Sequence, residues 1–234
     1  MTEEIFRQDS YQTECTATVQ AVGDDGIVLD RTVFYPKGGG QPGDIGVLRF
    51  GDHEITITDT RKGEAGILHV PADGAALPAI GDSVRCEIDW PRRYRHMRMH
   101  TCMHVLCALV DGAVTGGQAG AEKSRLDFDI PGERPDKDAL TARLMALVEA
   151  NHPLTITHIT DDELAANPDL VRTMSVQPPT GAGQVRMIRI GDDIDFQPCG
   201  GTHLKATGEI GAVRISKVEN KGKQNRRISL VFDT

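Results

Sequence analysis

The sequence predicts an α+β fold in two parts: a small glycine-rich, barrel-like β domain over residues 1–90 and an α/β domain over 91–234. Three observations carry this reading. The chain holds 25 glycines and 12 prolines in 234 residues, an excess over average usage that favours turns and short strands. The first ninety residues run as short apolar segments broken by turn signals. At Trp90-Pro91 the apolar spacing changes to three and four residues, as a helix requires.

Strands are expected at Cys15–Val22, Gly26–Asp30, Thr32–Tyr35, Val47–Phe50, Glu54–Asp59, Ile67–Val70 and Val84–Ile88. Gly23-Asp24-Asp25, Lys37-Gly38-Gly39-Gly40, Pro42-Gly43 and Ala72-Asp73-Gly74 supply the breaks. Pro91 suits the start of a helix that Asp111-Gly112 ends, with Met99, Met103, Leu106 and Val110 on its apolar face. A second helix is expected over Pro135–Ala150, stopped by Asn151-His152-Pro153. Leu154–Thr160 reads as a strand, Asp161–Ala166 as a short helix and Val185–Ile190 as a strand. Ala212–Lys217 and Arg227–Phe232 read as a closing hairpin about Asn220-Lys221-Gly222.

Composition narrows the function classes. No apolar run approaches the roughly 18 residues of a spanning helix, so no membrane role is expected. The acidic start, Met1-Thr2-Glu3-Glu4, lacks the features of a signal peptide, and a cytoplasmic location is the expectation. Cys15, Cys86, Cys102, Cys107 and Cys199 are odd in number and form no Cys-x-x-Cys pair, which argues for reduced thiols. Net charge is −8, yet the cations cluster. Arg92, Arg93, Arg95 and Arg98 fall together, and Lys205, Arg214, Lys217, Lys221, Lys223, Arg226 and Arg227 crowd the C-terminal region. Such a stripe can hold a phosphate backbone despite an acidic chain; on charge alone a solvated face fits equally well.

Two motifs have metal-ligand spacing. His100 and His104, four apart on the first expected helix, lie on one face and can converge on one ion. Alone, the pair fits two unrelated polar-face histidines as well. In Pro198-Cys199-Gly200-Gly201-Thr202-His203 the glycines permit a tight turn that aims a thiolate and an imidazole together. The plainer alternative there is a free cysteine beside an ordinary loop. Together the motifs offer three nitrogens and one sulfur, a donor set suited to tetrahedral zinc. His96 continues the ladder, but positions 96 to 104 span about 12 Å, too far for one ion. It is expected behind the ligands or facing RNA, and Cys102 and Cys107 in the core. The segment Thr32-Val33-Phe34-Tyr35-Pro36-Lys37-Gly38-Gly39-Gly40-Gln41 is either a flexible loop or a backbone cradle, and it is not a phosphate loop.

Taken together, the motifs at 34–41, 100–104 and 199–203 resemble the editing region of alanyl-tRNA synthetases and its free-standing relatives, the medium-length AlaX editing proteins. The resemblance runs on through Thr207-Gly208-Glu209-Ile210-Gly211 to Lys221–Arg227 and covers nearly the whole chain. It implies that the second domain is a zinc-containing editing domain of the synthetase second-additional-domain type. It implies a hydrolase acting on tRNA(Ala) mischarged with serine, and with glycine as a further substrate, with no obligate protein partner inferred. One zinc per chain would be held by His100, His104, Cys199 and His203. Thr32, Gly38, Gly39, Gly40 and Gln41 would face the substrate, and a zinc-bound water would attack, with no protein base identified. The acceptor stem is expected across Arg92, Arg93, Arg95 and Arg98 and across Lys217, Lys221, Lys223 and Arg226. The segment Glu122–Asp127 is given no catalytic role.

Three other readings stand beside this one. Four protein ligands close a zinc site, which suits a tRNA-binding module with structural zinc. A threonyl-type editing domain shares the zinc spacing but not the glycine-rich segment. A metallopeptidase would need a glutamate where Thr101-Cys102-Met103 stands.

Overall fold

The computed structural model of the chain describes residues 2–174 and 183–233. It is a mixed α/β structure of two compact units, Met1–Tyr94 and Arg95–Thr234.

The first unit contains β1 (Glu3–Glu4), α1 (Ile5–Gln8), β2 (Glu14–Gly23), β3 (Gly26–Leu29), β4 (Arg31–Thr32), β5 (Gly46–Phe50), β6 (His53–Gly63), β7 (Gly66–Pro71) and β8 (Ser83–Ile88). Six strands close a barrel in the order β2-β3-β7-β6-β5-β8, every pair antiparallel. Closure removes exposed strand edges. The alternation expected of strands with one buried face appears in β6, where Ile55 and Ile57 point inward and Glu54 and Thr56 outward. Ile55 and Ile57 join Val19, Ile27, Leu29, Leu48 and Val84 in one apolar cluster. Leu48 is fully buried, and its truncation to alanine should cost about 2–5 kcal/mol.

One expected strand is corrected. Only Thr32 of Thr32–Tyr35 is in a strand, β4. Val33, Phe34 and Tyr35 are buried but not laddered, because the Tyr35 backbone serves a loop instead. Its N–H donates to Asp44 Oδ2 at 2.7 Å, and its carbonyl accepts from Asp44 N at 2.9 Å. The helix α1 was not anticipated.

Helix α2 (Trp90–Leu109) starts in the first unit and carries on into the second. The Asp89 carboxylate accepts from Arg92 N at 3.0 Å, capping the first turn, where the missing N–H of Pro91 is harmless. An amphipathic helix was expected; instead residues 99–107 are buried on every side. Its polar members therefore need partners inside the protein.

The second unit continues with β9 (Ala113–Gln118), β10 (Lys123–Asp129), α3 (Lys137–Glu149), β11 (Leu154–Thr160), α4 (Asp161–Ala166), β12 (Gln184–Ile190), β13 (Asp195–Pro198), β14 (Val213–Asn220) and β15 (Asn225–Phe232). One sheet runs β14-β15-β10-β9 and a second β11-β12-β13. Both helices after α2 are capped at the chain's own polar residues: Asp136 accepts from Ala139 N, and Thr160 with Glu163 forms a capping box. α3 buries Leu140, Leu144 and Val148, a stripe of three residues spaced four apart. β9, β10 and β13 were not anticipated. No helix among the described residues is long and apolar enough to cross a membrane.

Candidate metal centre and glycine-rich loop

The second unit brings four side chains from two segments to one point. His100 and His104 lie one turn apart on α2, and Cys199 and His203 lie in the loop after β13. One ligand atom from each lies within 4.8 Å of the others. The Cys199 Sγ atom is 3.2 Å from His203 Nε2 and 3.6 Å from His100 Nε2. Tetrahedral zinc with one sulfur and three nitrogens separates its ligand atoms by about 3.5 Å. The three imidazole rings stand 4.4, 4.6 and 5.3 Å apart. Donor chemistry and spacing therefore fit a single divalent ion.

The outward nitrogens of His104 and His203 are already engaged, which turns their other nitrogens toward the cluster. His203 Nδ1 is 3.2 Å from Thr101 Oγ1, which also accepts from Leu204 N. His104 Nδ1 is 2.9 Å from Asp195 Oδ2, leaving Nε2 for the cluster. Arg186 binds the carbonyls of Cys199 and Gly201 and so fixes the turn. Burial pushes His203 down to about 3. Burial also pulls on His104, but the Cys199 thiolate and Asp195 outweigh it and raise the imidazole to about 10. Burial raises the Cys199 thiol, yet the surrounding imidazoles win and hold it well below the ordinary value. Cys102 and Cys107 are buried, each thiol pushed up to about 12 by desolvation, and are inert core residues as expected.

Sequence reasoning missed Asp195, Gln197 and Thr101. The first two were signalled by period-two spacing in Asp195-Phe196-Gln197, which puts both on one face of β13.

The first unit builds the glycine-rich segment as a pinned loop. The Gly38 and Gln41 backbones bond each other at 3.1 and 2.9 Å, with Gly39 and Gly40 exposed between them at φ +56° and +80°. Tyr35 Oη donates to the Gly38 carbonyl at 2.8 Å. Gly43 admits no side chain, since a Cβ there would sit 2.1 Å from the Thr60 carbonyl. Gln41 is buried. Thr32 is wholly buried, with Oγ1 at 2.7 Å from His69 Nε2 and accepting from Phe34 N at 3.0 Å.

The basic residues divide. Arg93 was expected at an RNA surface but is 0% exposed. Its guanidinium pairs with Asp44 and donates to the carbonyls of Ser10 and Val33, because the buried carboxylate at the loop base requires a counter-charge. Arg226 is likewise buried and donates to the Gly132 carbonyl at 2.9 Å rather than facing outward. Arg227 grips Asp127 with two bonds of 2.7 and 2.8 Å, lowering that carboxyl. Arg92 binds the Gly43 carbonyl, while Arg95 and Arg98 pack over Phe232. Lys217, Lys221 and Lys223 are exposed, the first two beside Glu219 at 2.9 and 3.4 Å. His96 is buried, which removes it from an RNA-facing role.

An antiparallel barrel in one unit, and two antiparallel sheets with a His-His-Cys-His cluster in the other, belong to a chain that its similarity to known proteins puts in the tRNA-synthetase editing class. Residues 185–229 match the threonyl and alanyl tRNA synthetase second additional domain, and residues 3–92 match the class II (A) tRNA synthetases. Among curated proteins, the alanyl-tRNA editing protein AlaX-M of Methanosarcina acetivorans is 39% identical over 97% of this chain and 98% of its own length. AlaX-M of Saccharolobus solfataricus is 35% identical with the same coverage, 97% and 98%. The alanine–tRNA ligase of Pyrobaculum aerophilum is 39% identical over 93% of this chain but only 25% of the ligase. The chain belongs to the AlaX-M family of alanyl-tRNA editing proteins, which are deacylating hydrolases.

Proposed function

We propose that this chain is a trans-editing hydrolase that deacylates mischarged tRNA(Ala), chiefly Ser-tRNA(Ala) with Gly-tRNA(Ala) as a second substrate, in the cytoplasm. The observation that carries the reading is the convergence of His100, His104, Cys199 and His203 in a chain collinear with AlaX-M proteins. The first unit serves as the glycine-rich β domain and the second as the zinc-dependent editing domain. Their boundary falls near residue 90.

One zinc per chain would be held by those four residues. Zinc supplies Lewis acidity toward an ester carbonyl or an anchored amine. The chain's own groups do the remaining work. Gly39 and Gly40 leave their backbone open to a ligand, with Gly38 and Gln41 closing the turn that presents them. Thr32 reads the hydroxyl that distinguishes serine from alanine. Arg92, Arg95, Arg98, Lys217, Lys221 and Lys223 hold the acceptor stem by its phosphates. The aminoacyl ester is labile, so positioning and polarisation suffice for useful rates.

Deacylation of Ser-, Gly- and Ala-charged tRNA(Ala), run side by side with and without chelation, tests the reading. Serine and glycine should be released, alanine retained, and activity lost with the metal. Undiminished serine release from folded, zinc-free protein would remove zinc from the chemistry, and tRNA binding without release by the zinc-loaded protein would support a binding module with structural zinc.

A further inference from the structure

We propose that Asp195 is a positioning residue of the metal centre: through His104 it orients one ligand and supplies the second negative charge that matches the site to a divalent ion. The inference rests on the metal reading above and adds to it a residue outside the four ligands.

Asp195 opens β13 and is 4% exposed, so its carboxylate has left water. Oδ2 faces His104 Nδ1 at 2.9 Å and accepts from Gln197 Nε2 at 2.9 Å. Oδ1 is buried with no hydrogen-bond partner among the described residues. Among those residues its only ion-pair contact is His104; no lysine or arginine lies within salt-bridge distance. A carboxylate so placed is costly unless a positive charge lies close by. That charge can sit on the His104 ring itself or, once His104 gives up its proton to bind an ion, on the far side of the ring, where the four ligand atoms converge.

The charges then sum. With an ion bound, three neutral imidazoles and the Cys199 thiolate give the ligand set a single negative charge. Asp195 adds a second, one ring away, so a divalent ion leaves the buried centre neutral. The Asp195–His104 bond also selects the tautomer with Nδ1 protonated and Nε2 free, and it makes that nitrogen a stronger donor.

The test is zinc affinity of the full chain, measured by competition with a chromophoric chelator. Cobalt substitution gives a spectrum that reports tetrahedral coordination. Asp195→Asn keeps the size and removes the charge. Zinc should bind about 10- to 100-fold more weakly, with the tetrahedral cobalt spectrum retained. Asp195→Glu restores the charge at a longer reach and should fall between Asn and wild type. Exposed Asp193→Asn should bind as wild type does. Wild-type affinity in Asp195→Asn, with affinity lost in His104→Ala, overturns the role of Asp195 and leaves the metal centre standing. If His104→Ala and Cys199→Ala also bind zinc normally, the metal reading itself fails. Should the asparagine variant not fold, Asp195→Ser decides: weakened binding supports the role, and wild-type affinity overturns it.

Discussion

Thr32 gives its hydroxyl hydrogen to His69. The His69 ring is tied on its other side, with Nδ1 at 2.9 Å from the Ile27 carbonyl, which can only accept. Nδ1 therefore carries the ring proton, and Nε2, at 2.7 Å from Thr32 Oγ1, is the acceptor. Since Oγ1 also accepts from Phe34 N, one lone pair remains. Toward a seryl hydroxyl, Thr32 can act only as an acceptor.

Selectivity should therefore depend on that lone pair. Thr32→Val is expected to lower the Ser-to-Ala deacylation ratio at least about tenfold, within the roughly 10⁴-fold that a hydroxyl-specific hydrogen bond can confer. The same change strands His69 Nε2 and the Phe34 amide, so a loss of about 1–3 kcal/mol in stability should accompany it. An unchanged ratio, measured with both charged tRNAs, would remove Thr32 from substrate reading.

Acid should weaken the barrel through His69. Burial lowers its folded pKa from 6.5 to about 4. In acid the unfolded chain takes up the proton first. Stability is therefore complete above about pH 6.5 and falls as pH drops to about 4, by roughly 3 kcal/mol for this group. Thermal unfolding of wild type and His69→Gln across that window checks this. The wild type should show the steeper decline.

Arg93 should matter for stability and not for RNA. Arg93→Met leaves the buried Asp44 carboxylate without its cation, a loss of about 3–5 kcal/mol. The salt dependence of tRNA binding should not move. A flatter salt slope without destabilisation would put Arg93 back at the RNA surface.

Loading the metal should release protons. His104, raised to about 10 in the free cluster, must give up its proton, whereas Cys199 is already held as thiolate. Calorimetry at pH 8 in buffers of different ionisation enthalpy should find about one proton released per zinc. Retention should fall as the medium is acidified, and Cys199→Ala combined with His104→Ala should abolish it.

The exposed lysines should carry the phosphate contacts that the buried arginines cannot. Neutralising Lys217, Lys221 and Lys223 should weaken tRNA binding and flatten its salt dependence by about one unit of slope per lost contact. If binding at moderate salt is unchanged, the hairpin does not touch RNA.

How far the sequence could be read follows the physics of each signal. Leu154–Thr160 and Asp161–Ala166 match β11 and α4 end to end, because alternation and a Thr160/Glu163 capping box are local features. The four clustered side chains were legible because the helical pair and the glycine turn each carry their own spacing. β10 was missed, although Leu126 and Phe128 alternate with charge, since the glycine pair in β9 hid its partner. The exposure of Arg93 and Arg226 was misjudged for a different reason. Charge density is visible in sequence, but whether a guanidinium meets a phosphate or a buried carboxylate depends on residues dozens of positions away. Asp44 stands 49 residues before Arg93.

That separation also governs where the chain can be cut. The loop from Tyr35 to Asp44 is closed at its base by Asp44, and the counter-ion of Asp44 lies in the first turn of α2. A fragment ending at residue 90 would hold every barrel strand and still bury a bare carboxylate beneath the loop. Three more residues bring Arg93 with them. The shortest self-sufficient barrel therefore ends in a stub of helix.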